Sequence, residues 1–315
     1  MRYAVIEIGY NTVKMVIFEI IQDKLIRLHS QNEFVEITNC YVNDLLSNNG
    51  IINISTVIDE MQQTVKLLQC DKTICFATSS LRYIKNKDEI INIIEERNEI
   101  TIDILTGTAE ATTTFDGVNY EFKFQTNGIG CDIGDGSTQI FTFLGSDIQE
   151  SISVPIGCIK LCNMFVSGIL PRPSEMEEIN TLIKDLFKEY SFLKEQKSRT
   201  LYLAGDTGLA MARLNMQITG QNEKLHGYTM KKQSIGIIID TLRNKHLNGI
   251  GLMQRIMPER IHTIIPAMTQ LAAICDIADI DEIIISRNGV KEGYLLNSYR
   301  QSKDKEKSCT ANISI

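Results

Sequence analysis

The stretch "CDIGDGSTQIFTF" (131–143) repeats an earlier one, "IEIGYNTVKMVIF" (6–18): acid falls on acid, Ile-Gly on Ile-Gly and hydroxyl on hydroxyl, and each copy continues into a second β-like run. An internal repeat of this kind constrains the fold more than any single motif, because two copies imply two like domains. The flanking runs alternate or are continuously apolar and rich in β-branched residues, so each copy reads as a hairpin. Its turn is a small polar knot, Gly9-Tyr10-Asn11-Thr12 in the first copy and Gly134-Asp135-Gly136-Ser137 in the second.

Outward from the first copy, the pattern predicts a helix over 54–70, a strand and loop in "KTICFATSS" (72–80), a helix in "NKDEIINIIEERNEI" (86–100) opened by an Asn/Asp cap signal, and a short strand "TIDILTG" ending at Gly107. Strands alternating with helices of this length imply an α/β domain with a mixed or parallel sheet. A polar, aromatic-dotted segment (116–127) then separates the copies, which places the domain boundary near residue 125: one domain over 1–125 and a second over 126–300. The second half carries "ESISVPIGCIKL", a long charged helix over 173–196, and the strand "TLYLAG" running into a third small-residue turn, "AGDTGLA" (204–210). The apolar run 262–278 reads as core packing, with a homodimer or domain interface as the other reading. From Gln301 to Ile315 the chain is polar and mixed in charge, expected to fray or to pack back on the first domain.

At 315 residues, two cores are the first expectation. A formal net charge of −7 speaks against a broad nucleic-acid surface, whose affinity comes from clustered Lys and Arg. Glu7, Lys14 and Glu19 interrupt the first apolar stretch as they would no signal peptide, and no later run reaches about 18 uncharged apolar residues, so a cytoplasmic protein without membrane association is expected. The eight cysteines show no CxxC pair and no His at zinc-ligand spacing, and read as buried thiols. His29, His226, His246 and His262 form no HExxH and suit surface or helix-end positions.

Glycine lets a backbone approach a ligand closely, and successive amides in a tight turn make an anion-sized concavity that favours phosphate. One glycine hairpin beside an acid is usually only a hairpin. Two matched copies and a third turn change that balance. The phosphate-binding candidates are Gly9, Asn11, Thr12 and Lys14 in the first copy, Gly134, Gly136, Ser137 and Thr138 in the second, and Gly205 and Thr207 in the third turn. Glu7 and Asp132, each two residues before its turn, are best explained as ligands or anchors for Mg²⁺ or another divalent cation bridging to that phosphate.

At these residues the sequence resembles the exopolyphosphatase and guanosine pentaphosphate phosphohydrolase family (Ppx/GppA) of the actin, Hsp70 and sugar-kinase superfamily. Its first turn, D-I-G-S-N-[ST]-x-[RK], corresponds to "EIGYNTVK", and its second, D-I-G-G-G-S-T-E, to "DIGDGSTQ". Between and beyond them "ATSSLRYIKN" (77–86), "LTGTAEA" (105–111), "VPIGCIKL" (154–161), "GDTGLAMARL" (205–214), "PERIHTIIPA" (258–267) and "ISRNGVKEG" (285–293) follow in family order. The resemblance implies an α/β fold of two RNase H-like (actin-like ATPase) domains, mixed sheets flanked by helices, with a cleft between them. It makes Glu110 the general base for an attacking water and Arg82 the residue that neutralises the transferring phosphoryl group. The implied substrates are inorganic polyphosphate or guanosine penta- or tetraphosphate, with a nucleotide-binding sensor of the same fold as the alternative. On the residue pattern alone Glu110 is a loop acid and Arg82 a surface arginine.

Several positions depart from the family pattern. Glu7 replaces Asp, Tyr10 replaces Ser, Gln139 replaces Glu, and Ala109 and Thr112 stand where Glu and Arg are frequent. Arg287 stands where Asp is common. Asp135 and Asp206 replace glycines of the second and third turns, placing negative charge beside sites meant for phosphate. Two accounts fit these acids: they point outward, or they add metal ligands.

Overall fold

In the computed structural model, which describes residues 1–35, 37–244 and 248–311, the first hairpin forms as its alternation predicts. Strand β1 (Arg2–Ile8) pairs antiparallel with β2 (Thr12–Ile21), setting Glu7 opposite Lys14 and Ile8 opposite Val13. The polar stretch that follows is a third strand, β3 (Lys24–Phe34), then a small ribbon of β4 (Tyr41–Val42) and β5 (Leu45–Leu46). Next come α1 (Asn48–Leu67), β6 (Lys72–Ala77), the short α2 (Ser79–Arg82), α3 (Lys87–Asn98), β7 (Ile102–Ile104) and α4 (Gly107–Phe122). The sheet order is β3-β2-β1-β6-β7, an antiparallel meander continued by two parallel strands. Its core joins Ile6, Ile8, Met15 and Ile17 to Ile54, Ile58 and Met61 of α1 and Ile90 and Ile94 of α3. Asn86 stands at the N-cap of α3, but its side chain bonds the backbone of Leu46 in both directions at 3.1 Å instead of capping the helix.

The second sheet repeats this plan. β8 (Asn127–Ile133), β9 (Thr138–Leu144) and β10 (Asp147–Val154) form the meander, and β11 (Thr200–Ala204) and β13 (Glu282–Ile285) add in parallel, with β12 (Thr229–Lys231) antiparallel at the far edge. Asp132 lies opposite Gln139 and Ile133 opposite Thr138, the same register as in the first copy. The helices are α5 (Cys158–Phe165), α6 (Pro173–Phe187), α7 (Phe192–Glu195), α8 (Gly205–Thr219), α9 (Ser234–Arg243), α10 (Gly249–Ile256) and α11 (Ile264–Ile277). The charged helix read over 173–196 is thus two helices. Its acidic start works as a cap, Glu175 accepting the Arg172 amide at 2.7 Å. The apolar run on α11 is core: its residues pack with Ile179, Ile183 and Phe187 of α6 and Met211 of α8.

Two compact units result, Met1–Glu110 with the C-terminal segment from Tyr294, and Ala111–Gly293. The division falls at 110/111, earlier than residue 125, because much of the segment expected to be irregular belongs to α4, where Ala111, Phe115 and Val118 recur at helical spacing and are buried. Phe115 and Val118 pack with Phe124, Phe141 and Phe143 in a separate aromatic cluster. The tail expected to fray or to pack back on the first domain is helical as far as it is described, α12 (Val290–Ala311) running into it, while residues 312–315 lie outside the described residues. In the first unit Tyr294 meets Phe76 with ring centroids 4.6 Å apart, Tyr299 meets Tyr3, and Lys303 pairs with Asp23 at 2.5 Å. Among the described residues no helix is long and apolar enough to cross a membrane.

Candidate active site

In the first unit the turn after β1 is closed by the Gly9 amide donating to Thr12 O at 2.8 Å, and Asn11 O accepts from the Val35 amide. Thr12 and Glu7 are buried, while Asn11 and Lys14 are half-buried. The motif "ATSSLR" is hung on the end of β1: the Thr78 amide and the Ser80 hydroxyl both donate to Ile8 O, at 3.2 and 3.1 Å. That places α2 beside the turn. Tyr10 leans on Tyr41, with ring centroids 6.3 Å apart, and the Tyr41 hydroxyl is spent on Ser80 O at 2.9 Å.

Arg82 and Glu110 are brought together. Glu110 lies in the first turn of α4, where the helix dipole favours a carboxylate, so the loop placement drawn from the residue pattern is corrected. Arg82 donates from Nε to Leu105 O at 2.7 Å and from Nη2 to Glu110 Oε2, with only 10% and 9% of the two side chains exposed. Burial alone would pull the guanidinium's pKa down; the charge and hydrogen bond of Glu110 outweigh it, and the pKa is raised. The remaining nitrogen, Nη1, is buried and has no partner in hydrogen-bond geometry. Such a donor costs free energy unless something accepts from it.

The second unit closes its turn in the same way, Gly134 N to Ser137 O at 3.0 Å. The first amides of α5 then donate to this turn, Cys158 N to Gly134 O and Ile159 N to Asp135 O at 3.0 and 3.1 Å, which is the physical role of the "VPIGCIKL" stretch. Gly136, Ser137 and Thr138 are all buried. The Thr138 hydroxyl donates to Ile156 O and accepts from Gln270, so it serves as a post holding the turn. Gln139 bonds the hydroxyls of Ser137 and Ser153. Thr207 likewise donates to Ile133 O at 2.8 Å and ties the third turn to the second. Gly205 has φ +78, and a Cβ there would lie 2.2 Å from Asp132 Oδ1; only glycine lets this backbone lie against that carboxylate.

Asp135 and Asp206 do not simply face outward. Both face Arg260, at the end of the 3-10 turn Pro258–Arg260: Nη1 is 3.7 Å from Asp135 Oδ1 and Nη2 is 3.7 Å from Asp206 Oδ2. Nη1 also lies 3.4 Å from the Thr207 hydroxyl and 4.0 Å from Cys158 Sγ. Burial opposes the charge on Arg260, yet the carboxylates prevail and raise its pKa. Burial, aided by Asp135, also pushes the Cys158 thiol up to about 12, so it stays a neutral donor to Asp135. Arg260 was not singled out in the sequence; its one signal was a lone arginine opening a long apolar run.

Among the described residues no group of three or more His, Cys, Asp or Glu is placed to hold a metal ion, and no cysteine forms a disulfide. Cys75, Cys131, Cys158 and Cys275 are buried, whereas Cys40, Cys70 and Cys162 are half-buried. His226 accepts from the Arg287 amide at 3.2 Å and meets Glu121 at 2.9 Å, while His29 and His262 are exposed. His246 lies outside the described residues, as does the side chain of Cys309.

Comparison with known proteins bears on this arrangement. Residues 16–302 match the Ppx/GppA phosphatase family. The chain is 28% identical over 232 residues, 71% of its length, to a bifunctional 3-dehydroquinate synthase/phosphatase of Fusobacterium nucleatum. It is 25% identical over 224 residues, 69% of its length, to a guanosine-5'-triphosphate,3'-diphosphate pyrophosphatase of Aeromonas salmonicida. The chain spans 34% and 43% of the lengths of those two relatives. Among solved structures, the Ppx/GppA family member of Aquifex aeolicus superposes with a TM-score of 0.80 at 23% identity, covering 96% of this chain and 98% of that one. An exopolyphosphatase of Cytophaga hutchinsonii gives 0.80 at 17% identity, covering 95% and 98%. The chain has their two-domain actin-like fold, and with a family match over most of its length it belongs to the Ppx/GppA phosphatase family.

Proposed function

We propose that the chain hydrolyses terminal phosphoanhydride bonds, releasing orthophosphate from inorganic polyphosphate or from guanosine pentaphosphate. The observation that carries this reading is the Arg82 guanidinium, which holds Glu110 through Nη2 while Nη1 has no acceptor. One planar group thus fixes the base and offers a donor to the phosphoryl oxygen beside it. Tyr83, half-exposed, stacks beside the guanidinium with its ring centroid 5.6 Å from the Arg82 Cζ.

The chemistry follows. A water oxygen forms a bond to the terminal phosphorus as the bridging P–O bond breaks, and one water proton passes to the Glu110 carboxylate. The shortened chain leaves with the bond's electron pair on its oxygen, a charge that the turn amides are suited to receive. Thr12, Ser137 and Thr138 are buried, so in this reading the turns act through backbone amides more than through hydroxyls. Glu7 in the first unit and Asp132 in the second are each a candidate ligand for a divalent cation such as Mg²⁺, which commonly binds one or two carboxylates and completes its shell with water and substrate phosphate. When bound, such a cation neutralises charge on the phosphate oxygens.

Phosphate release from tripolyphosphate, long-chain polyphosphate and guanosine pentaphosphate, each with a divalent cation, tests this reading. Orthophosphate should appear one unit at a time; no release from any of the three, or pyrophosphate as the product, would overturn it. A second reading, a sensor that binds guanosine tetra- or pentaphosphate without turnover, is favoured by the carboxylates Asp135 and Asp206 on the second and third turns. Binding without orthophosphate release would select it.

A further inference from the structure

The two acids on the second and third turns come from positions far apart in the chain, yet both face the same buried guanidinium. A buried arginine needs a counter-ion, and an arginine beside amide-rich turns would ordinarily take it from a bound anion. Here the chain supplies its own. Asp135 stands against Nη1 and Asp206 against Nη2, with Thr207 and Cys158 closing round Nη1. The bracket carries one positive and two negative charges, so its net charge is negative. Glu259, next to Arg260, adds a further negative charge. Asp135 is 14% and Asp206 37% exposed, so a ligand arriving at these turns meets carboxylate rather than guanidinium.

We infer that Asp135, Asp206 and Arg260 form a charge filter that sets substrate class, favouring short phosphoanhydrides over long polyphosphate chains. Each added phosphate brings roughly one more negative charge, and repulsion from a fixed carboxylate persists over about 10 Å before salt screens it. A long flexible chain brings more phosphates within that distance than a three-phosphate chain does, and so loses more. This inference deepens the phosphohydrolase reading and rests on it for the identity of the anion.

The test is equilibrium binding, by calorimetry, of tripolyphosphate and of long-chain polyphosphate to the wild type and to Asp135→Asn/Asp206→Asn. These changes keep side-chain shape, remove both charges and free Arg260. The wild type should favour the short chain; the variant should bind the long chain about tenfold tighter and the short chain by a smaller factor, reversing or levelling the preference. An unchanged ratio of the two affinities, or binding of neither anion by either protein, overturns the filter. If the double variant lacks a cooperative unfolding transition, Asp206→Asn alone decides, with an expected shift of about threefold in the same direction. Orthophosphate release by the wild type with an unchanged ratio would leave the hydrolase reading standing without the filter. A changed ratio with no release would leave the filter standing without the hydrolase.

Discussion

Replacing Glu110 by Gln is expected to lower orthophosphate release by about 10²–10⁴-fold at saturating substrate, the usual cost of losing a general base. The amide keeps the shape of the carboxylate and leaves an oxygen for Arg82 Nη2, so the contact between α2 and α4 survives. It cannot take a proton from water. Because Arg82 keeps its bond to Leu105 and its orphan Nη1, substrate affinity should change little, and the loss should fall on kcat with KM nearly constant. Steady-state phosphate release with matched unfolding curves for both proteins checks this. A loss of less than about tenfold would place the base elsewhere.

Replacing Arg260 by Met is expected to destabilise the second unit by about 3 kcal/mol, toward the low end for breaking a buried ion pair. The low end applies because Asp206 is 37% exposed and keeps part of its hydration, whereas Asp135 is 14% exposed and loses its neutralising partner. Thr207 also loses a donor. Adding Asp135→Asn and Asp206→Asn to the Arg260→Met background should recover at least half of the loss, since the unpaired carboxylates cause most of it. Denaturant midpoints for the single and triple variants measure both effects. No recovery in the triple variant would mean that Arg260 stabilises through packing of its stem rather than through the two acids.

What the sequence revealed was whatever a local pattern encodes. The hairpins around Gly9 and Gly134 are legible because alternation and a small-residue turn occupy one short window, and their matched registers show that the repeat is structural. The third strands of the meanders were missed. In β3 no residue is fully buried, so its sequence looks like a polar connection, and pairing with β2 alone makes it a strand. The α4 segment was hidden by aromatic residues that pack into their own cluster instead of the main core. The start of the C-terminal helix is legible, since "EIIISRNGVKEGYLL" reads as a strand, a glycine turn and a helix. Past Gln301 no apolar stripe continues it, and there it gains order from contacts such as Lys303 with Asp23. The pairing of Arg82 with Glu110 came into view only because both fell in motifs of a resembling family. Arg260 shows the limit: three charged residues far apart in sequence become neighbours, and nothing in a linear pattern carries that distance.

Hydrolysis of guanosine pentaphosphate or tripolyphosphate in water enriched in oxygen-18 tests the central claim most directly, because it asks which phosphorus the water attacks. Attack at the terminal phosphoryl group predicts one labelled oxygen in the released orthophosphate and none in the shortened product. Label in the shortened product, or orthophosphate without label, would contradict direct water attack assisted by Glu110.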